Sequence, residues 1–160
     1  MIEIVLALGS NVGNRRENLV SALAGVSDFS RIVGVSKIYE TPPVGYSEQR
    51  SFLNAAIFAE TDVAPMELLR LCKALENRLG RIPSFKNGPR AIDIDIIFYG
   101  GETLSLDELE IPHPRWSERD FVITPLIDLL DSGLFSSGRL AGVAPLLSRH
   151  SRMFAPYSCF

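Results

Sequence analysis

Gly88-Pro89-Arg90-Ala91-Ile92-Asp93-Ile94-Asp95-Ile96-Ile97-Phe98-Tyr99 decides how this chain is read. Gly-Pro is a turn signal, and the β-branched, period-two run from Ile92 to Tyr99 predicts a strand. Residues two apart in a strand share a face. Ile92, Ile94 and Ile96 therefore make one face, suited to a core, and Asp93 and Asp95 stand together on the other. Like charges side by side gain a sheet nothing. Two carboxylates at this spacing suit hard cations such as Mg²⁺, which takes oxygen ligands and leaves positions open for phosphate. Arg90 stands just before them, and its guanidinium can clamp a phosphate bidentately. The alternative is a solvated strand face, since a bare D-x-D matches many sequences by chance.

Working outward, Ile2 to Leu8 is a nearly continuous apolar run and predicts a central strand. Gly9-Ser10-Asn11-Val12-Gly13-Asn14 breaks it. Asn14 with Glu17 reads as a capping box, with Leu19, Ala22, Leu23 and Val26 at helical spacing behind it. The loop lacks the Lys-Ser/Thr of a phosphate loop, so it reads as a tight turn in which the Asn11 side chain satisfies backbone groups. Arg31 to Glu40 and Ser51 to Glu60 predict two more strands. Between them Thr41-Pro42-Pro43-Val44-Gly45-Tyr46 is a stiff loop, either a presenter of backbone groups to a flat ligand or a connector. Phe52 and Asn54 share a parity, which fits either stacking on a heteroaromatic ring or an ordinary core. Thr61-Asp62 is expected to cap the next helix, whose buried stripe is Leu68, Cys72, Leu75 and Leu79, with Glu76 off it and Gly80 ending it. Beyond Tyr99, Leu104 to Ile111 predicts a short edge strand. His113 follows between two prolines, Arg115 and Arg119 are expected to share a helical face, and a last helix is expected from Pro125 to Leu130.

The order β-α-β-β-α-β predicts an α+β, ferredoxin-like fold: a mostly antiparallel sheet with helices packed on one face, plus C-terminal extras. A main domain over 1–131 is expected, with residues 132–160 a partly helical or loose segment of no assigned role. The 160 residues are 46% hydrophobic and 22% charged, ordinary for one globular domain with a real core. Net charge is −3, with all 19 acidic residues before residue 132 and three arginines after it. An acidic body argues against nucleic acid as a partner. No apolar run reaches 18 residues, so no membrane partner is expected. Two cysteines, a start without a basic, apolar leader and no zinc spacing lead us to expect a reducing, cytoplasmic location.

Six ordered motifs then carry a family resemblance: Leu8-Gly9-Ser10-Asn11-Val12-Gly13, Tyr39-Glu40-Thr41-Pro42-Pro43-Val44-Gly45, Phe52-Leu53-Asn54-Ala55, Gly80-Arg81, Gly88 to Asp95, and Ile111-Pro112-His113-Pro114-Arg115. Over residues 2–130 the chain resembles 6-hydroxymethyl-7,8-dihydropterin pyrophosphokinase of folate biosynthesis. The resemblance implies diphosphate transfer from ATP to the pterin's hydroxymethyl group, leaving AMP, with two Mg²⁺ ions as cofactors. It implies that Asp93 and Asp95 hold the metals and that Arg81 and Arg90 bind the triphosphate and act with them in catalysis. Glu76, Ile96, His113 and Arg119 would line the ATP site. Phe52 and Phe121 would sandwich the pterin, while Asn54 and the Thr41, Pro42 and Val44 segment would read its polar edge. A monomer is expected, with a weak homodimer as the alternative. The chain departs from the family at Pro83, where members often have a basic residue, and at Asn87, where they often have Trp; Lys86 is the nearest substitute for the missing charge. A non-catalytic pterin- or nucleotide-binding protein on the same fold is the alternative function.

Overall fold

A computed structural model describes residues 1–80 and 88–160. Strand β1 (Ile2–Ser10) leads through a Gly-containing turn to helix α1 (Arg15–Val26), then β2 (Arg31–Val35), β3 (Ile38–Thr41), β4 (Phe52–Thr61) and helix α2 (Pro65–Arg78). Strand β5 (Asp93–Tyr99) follows, then β6 (Leu104–Ser105), β7 (Glu110–Ile111), helix α3 (Asp120–Asp131), the one-turn helix α4 (Ala144–Leu147) and β8 (Pro156–Ser158). The main sheet runs β5-β1-β4-β3-β8, with β2 also on β4. The pairings among β1 to β5 are all antiparallel, as the βαββαβ order predicts.

Parity assigns the two sheet faces. Ile4, Leu6 and Leu8 of β1 with Leu53, Ala55, Ile57 and Ala59 of β4 point to one face and pack under Leu19, Ala22 and Val26 of α1 and Leu68, Cys72 and Leu75 of α2. Val5, Ala56 and Phe58 point to the other, where the C-terminal extras lie: Val122, Leu126 and Leu129 of α3, then Phe135, Leu140 and Leu147. Helix α3 covers only part of this second face. The part it leaves is the end where β1, β3 and β4 carry Gly9, Thr41, Phe52 and Asn54 and where β5 begins with Asp93.

Strand β5 changes parity midway. Ile96 pairs with Leu6 but Phe98 pairs with Val5, so Ile97 is an extra, bulged residue. The bulge puts Ile97 and Phe98 both against α3 while Asp93 and Asp95 keep the open end of the same face.

Several expectations need correction. The strand expected over 31–40 is two strands, because the ladder is interrupted at Ser36 and Lys37: the Ser36 N–H still donates to the Ala56 carbonyl (2.9 Å), but the Ala56 N–H donates to Ser36 Oγ (2.8 Å) and the Lys37 N–H turns away to Asp128 Oδ2 (2.9 Å). The α2 N-cap is Ala64, not Thr61-Asp62, and Thr61 Oγ1 instead accepts from the Val63 N–H (3.1 Å) in a local turn. Strand β5 starts at Asp93, so Ile92 precedes it, although Ile92 is fully buried as its parity requires. The edge strand expected over 104–111 is a separate two-stranded hairpin. Arg115 and Arg119 flank a single 3-10 turn rather than sharing a helical face. Helix α3 starts at Asp120, with Pro125 inside it, because burial of Val122, Ile123, Leu126 and Ile127 outweighs the hydrogen bond that proline cannot donate. Residues 132–160 also hold a strand, β8, which pairs with β3; three residues beginning with proline carry no period to read.

Candidate active site

Two small neighbours on the second face separate the carboxylates from the amide. Gly9 pairs with Asp93 on one side and Asn54 on the other; Ala7 pairs with Asp95 and Ala56. Adjacent strands lie about 4.8 Å apart, so Asp93 and Asn54 stand roughly 10 Å apart across a floor of Gly9, Ala7 and Ala56. The floor is low because these residues carry at most a methyl group. A Cβ on Gly9 would come within 3.1 Å of Asn54 Oδ1 and 3.6 Å of the Phe52 ring, so the missing side chain is what lets these two settle over β1. Sequence reasoning missed this floor, although the alternation Ala7, Gly9 is its signal.

The far wall of the trough is β3 and β4. Thr41 is buried, and its Oγ1 accepts a 2.5 Å hydrogen bond from Asn54 Nδ2, which fixes which way the amide faces. Asn54 Oδ1 lies on the Gly9 side. Phe52 is half-buried one pair further out, and Val44 is 60% exposed on the loop beyond it, beside exposed Pro42. The loop between β1 and α1 does what its composition predicts. Asn11 is 2% exposed, accepts from the Arg90 N–H (2.7 Å) and donates to Gln49 Oε1 and the Arg50 carbonyl. Asn11 thus ties the entry of β5 to the entry of β4.

The near wall is the edge strand β5, flanked by a cleft of about 350 Å³ between α2, β5 and the 106–114 segment. Glu76, Asp93, Asp95, Ile96 and His113, five of the residues singled out in the sequence, line it together. Glu76 was expected off the buried stripe of α2; it is nevertheless 3% exposed, with Oε2 accepting from the Ile94 N–H (2.8 Å). An edge strand has free N–H groups that helical spacing cannot reveal, and this one draws the carboxylate inward. Lys73 also lines the cleft. Its signal in the sequence is its i, i+3 spacing from Glu76 on one helix face. Beneath the cleft the buried Cys72 thiol is pushed up to about 12, by burial first and then by the Glu76 and Asp95 carboxylates.

His113 sits against the edge of β5, its N–H donating to the Ile97 carbonyl (2.9 Å) and its Nδ1 accepting from the Arg115 N–H (3.1 Å). Burial, then the Arg119 cation, holds its pKa below 6.5; Arg115 adds to this and Asp93 opposes it. The imidazole is thus biased toward the neutral form, and with Nδ1 accepting, the ring proton resides on Nε2. The Arg119 guanidinium lies 5.6 Å from the centre of the Phe121 ring at the start of α3. Arg90 is half-exposed just ahead of β5. Arg81, with Pro83, Lys86 and Asn87, lies outside the described residues.

The fit of a metal is set by the donors. Among the described residues no three His, Cys, Asp or Glu side chains converge as a ready metal cage. Asp93 and Asp95 share one face at the edge of a cleft. Two carboxylates with room for outside oxygens suit Mg²⁺, which keeps waters and takes substrate phosphates, better than zinc, which wants a closed set of nitrogen and sulfur ligands.

The family model for 7,8-dihydro-6-hydroxymethylpterin-pyrophosphokinase matches residues 5–131. The Dictyostelium discoideum "Folic acid synthesis protein FOL1" is 45% identical over 79% of the chain, which spans 19% of that relative's length. An Arabidopsis thaliana "Folate synthesis bifunctional protein" is 43% identical over 93% of the chain, which spans 31% of it. The chain thus spans less than a third of these two relatives. The Bacillus subtilis 2-amino-4-hydroxy-6-hydroxymethyldihydropteridine pyrophosphokinase is 43% identical, with 78% of this chain matched to 75% of that one. In shape, a crystal structure of Plasmodium falciparum HPPK-DHPS with pteroate overlays with a TM-score of 0.63 at 18% identity, covering 79% of this chain and 39% of that one.

Proposed function

The chain belongs to the 7,8-dihydro-6-hydroxymethylpterin-pyrophosphokinase family, and from that premise we propose that it transfers the diphosphate of ATP to 6-hydroxymethyl-7,8-dihydropterin in folate biosynthesis. One observation carries the reading: a carboxylate pair and a buried, oriented amide face each other across a floor of Gly9, Ala7 and Ala56. The pterin lies on the Asn54 side, between Phe52 and Phe121. Its amide-like edge meets the Asn54 carboxamide and the backbone of the Thr41–Val44 segment, an arrangement that rejects rings lacking the matching donors because buried polar groups would be left unpaired. ATP enters along the β5 cleft, past Glu76, Ile96 and His113.

The pterin hydroxyl oxygen attacks the β-phosphorus of ATP. The bond from that phosphorus to the α-phosphate's bridging oxygen breaks, AMP leaves, and the hydroxyl proton goes to solvent. Asp93 and Asp95 would hold Mg²⁺, two ions by the family resemblance, which would supply neutralisation of the phosphate charge. Arg90 steadies the transferring phosphates, with Arg81 assigned there by resemblance alone. Neutral His113 donates from Nε2 to a phosphate oxygen, and Arg119 adds a cation. The protein's part is mostly positioning, which for phosphoryl transfer supplies most of the rate. Asp93 and Asn54, on the two sides of the proposed site, belong to one chain, which supports a monomer. Among the described residues no helix is long and apolar enough to cross a membrane, and two unpaired cysteines suit the cytoplasm.

The test mixes protein, ATP, Mg²⁺ and the reduced pterin and follows AMP by chromatography. Pterin-dependent AMP is expected, with Asp95→Ala lowering turnover by at least a thousandfold, the scale of losing a metal clamp, while circular dichroism stays unchanged. Pterin binding without AMP would turn the reading to a non-catalytic binder. Normal turnover in Asp95→Ala would remove the metal assignment.

A further inference from the structure

Behind the pterin-side wall, on the face of α1, three arginines line a second cleft of about 390 Å³ with Gly13, Asn14, Leu53 and Tyr157. Each donates to a group of this chain. Arg16 Nη2 donates to the Cys159 carbonyl (2.8 Å) and Arg50 Nη1 to the Gly13 carbonyl (2.9 Å). Arg15, the first residue of α1, is 8% exposed. Its Nη1 donates both to Glu40 Oε2 (2.8 Å) and to the Ser51 carbonyl (2.9 Å). Of the three, Arg15 is the buried one, and its bonds tie two separate strand ends of this chain together.

What Arg15 joins is specific. Glu40 directly precedes Thr41 at the end of β3, and Ser51 directly precedes Phe52 at the start of β4. The two are the feet of the 42–50 loop. Thr41 and Phe52, across the sheet from Arg15, are the pair at the mouth of the trough. The Tyr157 ring of β8 lies 5.8 Å from the guanidinium carbon of Arg15, and β8 itself is laddered to β3. This outer element lies beyond the residues that the family model matches.

We infer that Arg15 is a positioning residue for the pterin pocket: it staples the two feet of the 42–50 loop and thereby sets the separation of Thr41 from Phe52, with Tyr157 covering the staple. The inference rests on the pterin reading of the trough, but the staple itself does not. Both bonds leave Nη1, whose two N–H groups reach the carboxylate and the carbonyl together on a permanently charged side chain. Without it the loop feet are held only by β3–β4 pairing, and a pocket loosened by an ångström binds poorly.

The experiment compares the full chain with Arg15→Met, Arg15→Lys, Glu40→Gln and Tyr157→Ala. Hydrogen exchange is read peptide by peptide without ligand, and affinity is read by fluorescence with 6-hydroxymethylpterin and separately with a non-hydrolysable ATP analogue. For Arg15→Met, faster exchange is expected in 42–53 and none in 93–99. Pterin affinity is expected to fall about tenfold, the scale of one charge-assisted hydrogen bond, with ATP-analogue affinity unchanged. Arg15→Lys and Tyr157→Ala should fall between Arg15→Met and wild type. Unchanged exchange at 42–53 in folded Arg15→Met overturns the inference. So does exchange raised equally in 93–99 with both ligands weakened together, which marks a merely structural residue. If Arg15→Met does not fold, Glu40→Gln reads the same staple: faster exchange at 42–53 supports it and unchanged exchange overturns it. Wild-type protein that binds no pterin, with the exchange pattern intact, defeats the functional reading and leaves the staple standing.

Discussion

His113 shows how one side chain reports its surroundings. Its pKa lies below 6.5, chiefly because burial disfavours the imidazolium and because Arg119 and Arg115 repel it. As pH falls below 6.5, the unfolded chain therefore takes up this proton before the folded chain does. Stability drops across the interval between 6.5 and the lower folded value, and is fully present above it. Thermal melts in metal-free buffer at about pH 7.5 and 5.5 should show wild type losing more than His113→Gln; equal losses would mean that the imidazole is not held neutral. The residues of the site divide by how locally they are specified. Asp93 and Asp95 were legible because two-residue alternation is a local pattern. Asn11 was legible because a short amide in a Gly turn has few other uses. Glu76 was not: its burial depends on a bare N–H at Ile94, supplied by a strand that follows it in the chain.

Among the elements, β1 is the one that both halves of the site lean on. Its Gly9 is in extended conformation, where a β-carbon is ordinarily an advantage to a strand, by roughly 0.5–1 kcal/mol. Here that β-carbon would press on Asn54 Oδ1 and the Phe52 ring. Gly9→Ala is accordingly expected to melt within a few degrees of wild type while binding 6-hydroxymethylpterin roughly tenfold more weakly, because the carboxamide must shift by tenths of an ångström. Unaltered pterin fluorescence titration with that variant would show that the floor carries no binding information. At this scale β1, β4, β5, α1 and α2 were readable, since each carries a long apolar run or a periodic apolar face. The break at Ser36–Lys37 and the early start of α3 were not. Lys37 is held by Asp128, far along the chain, and α3 overrides an internal proline because its apolar face caps the second side of the sheet.

Over the whole molecule, Asp128 is where the distant parts meet. Its carboxylate accepts from the Tyr39 hydroxyl, from the Lys37 N–H at the junction of β2 and β3, and from Arg152 Nε and Nη2. Burial first, then this carboxylate, pushes the Tyr39 hydroxyl up to about 12. Asp128→Ala leaves the fully buried Tyr39 and the Lys37 N–H without their carboxylate and leaves Arg152 only Asp131, and should cost about 2–4 kcal/mol. Urea unfolding should show the midpoint fall with the slope unchanged; a shift under about 0.5 kcal/mol would mean that the network is decorative. None of this was legible, since Lys37, Tyr39 and Arg152 all lie far from Asp128 along the chain. The ferredoxin-like order was legible because it needs only the succession of elements. The pairing of β8 with β3 has a further consequence in time. On the ribosome β3 emerges early and the strand that covers it emerges long afterwards. Throughout that interval the growing chain presents an open row of backbone donors and acceptors beside its future pocket, the kind of edge on which neighbouring nascent chains mispair and which chaperones shield.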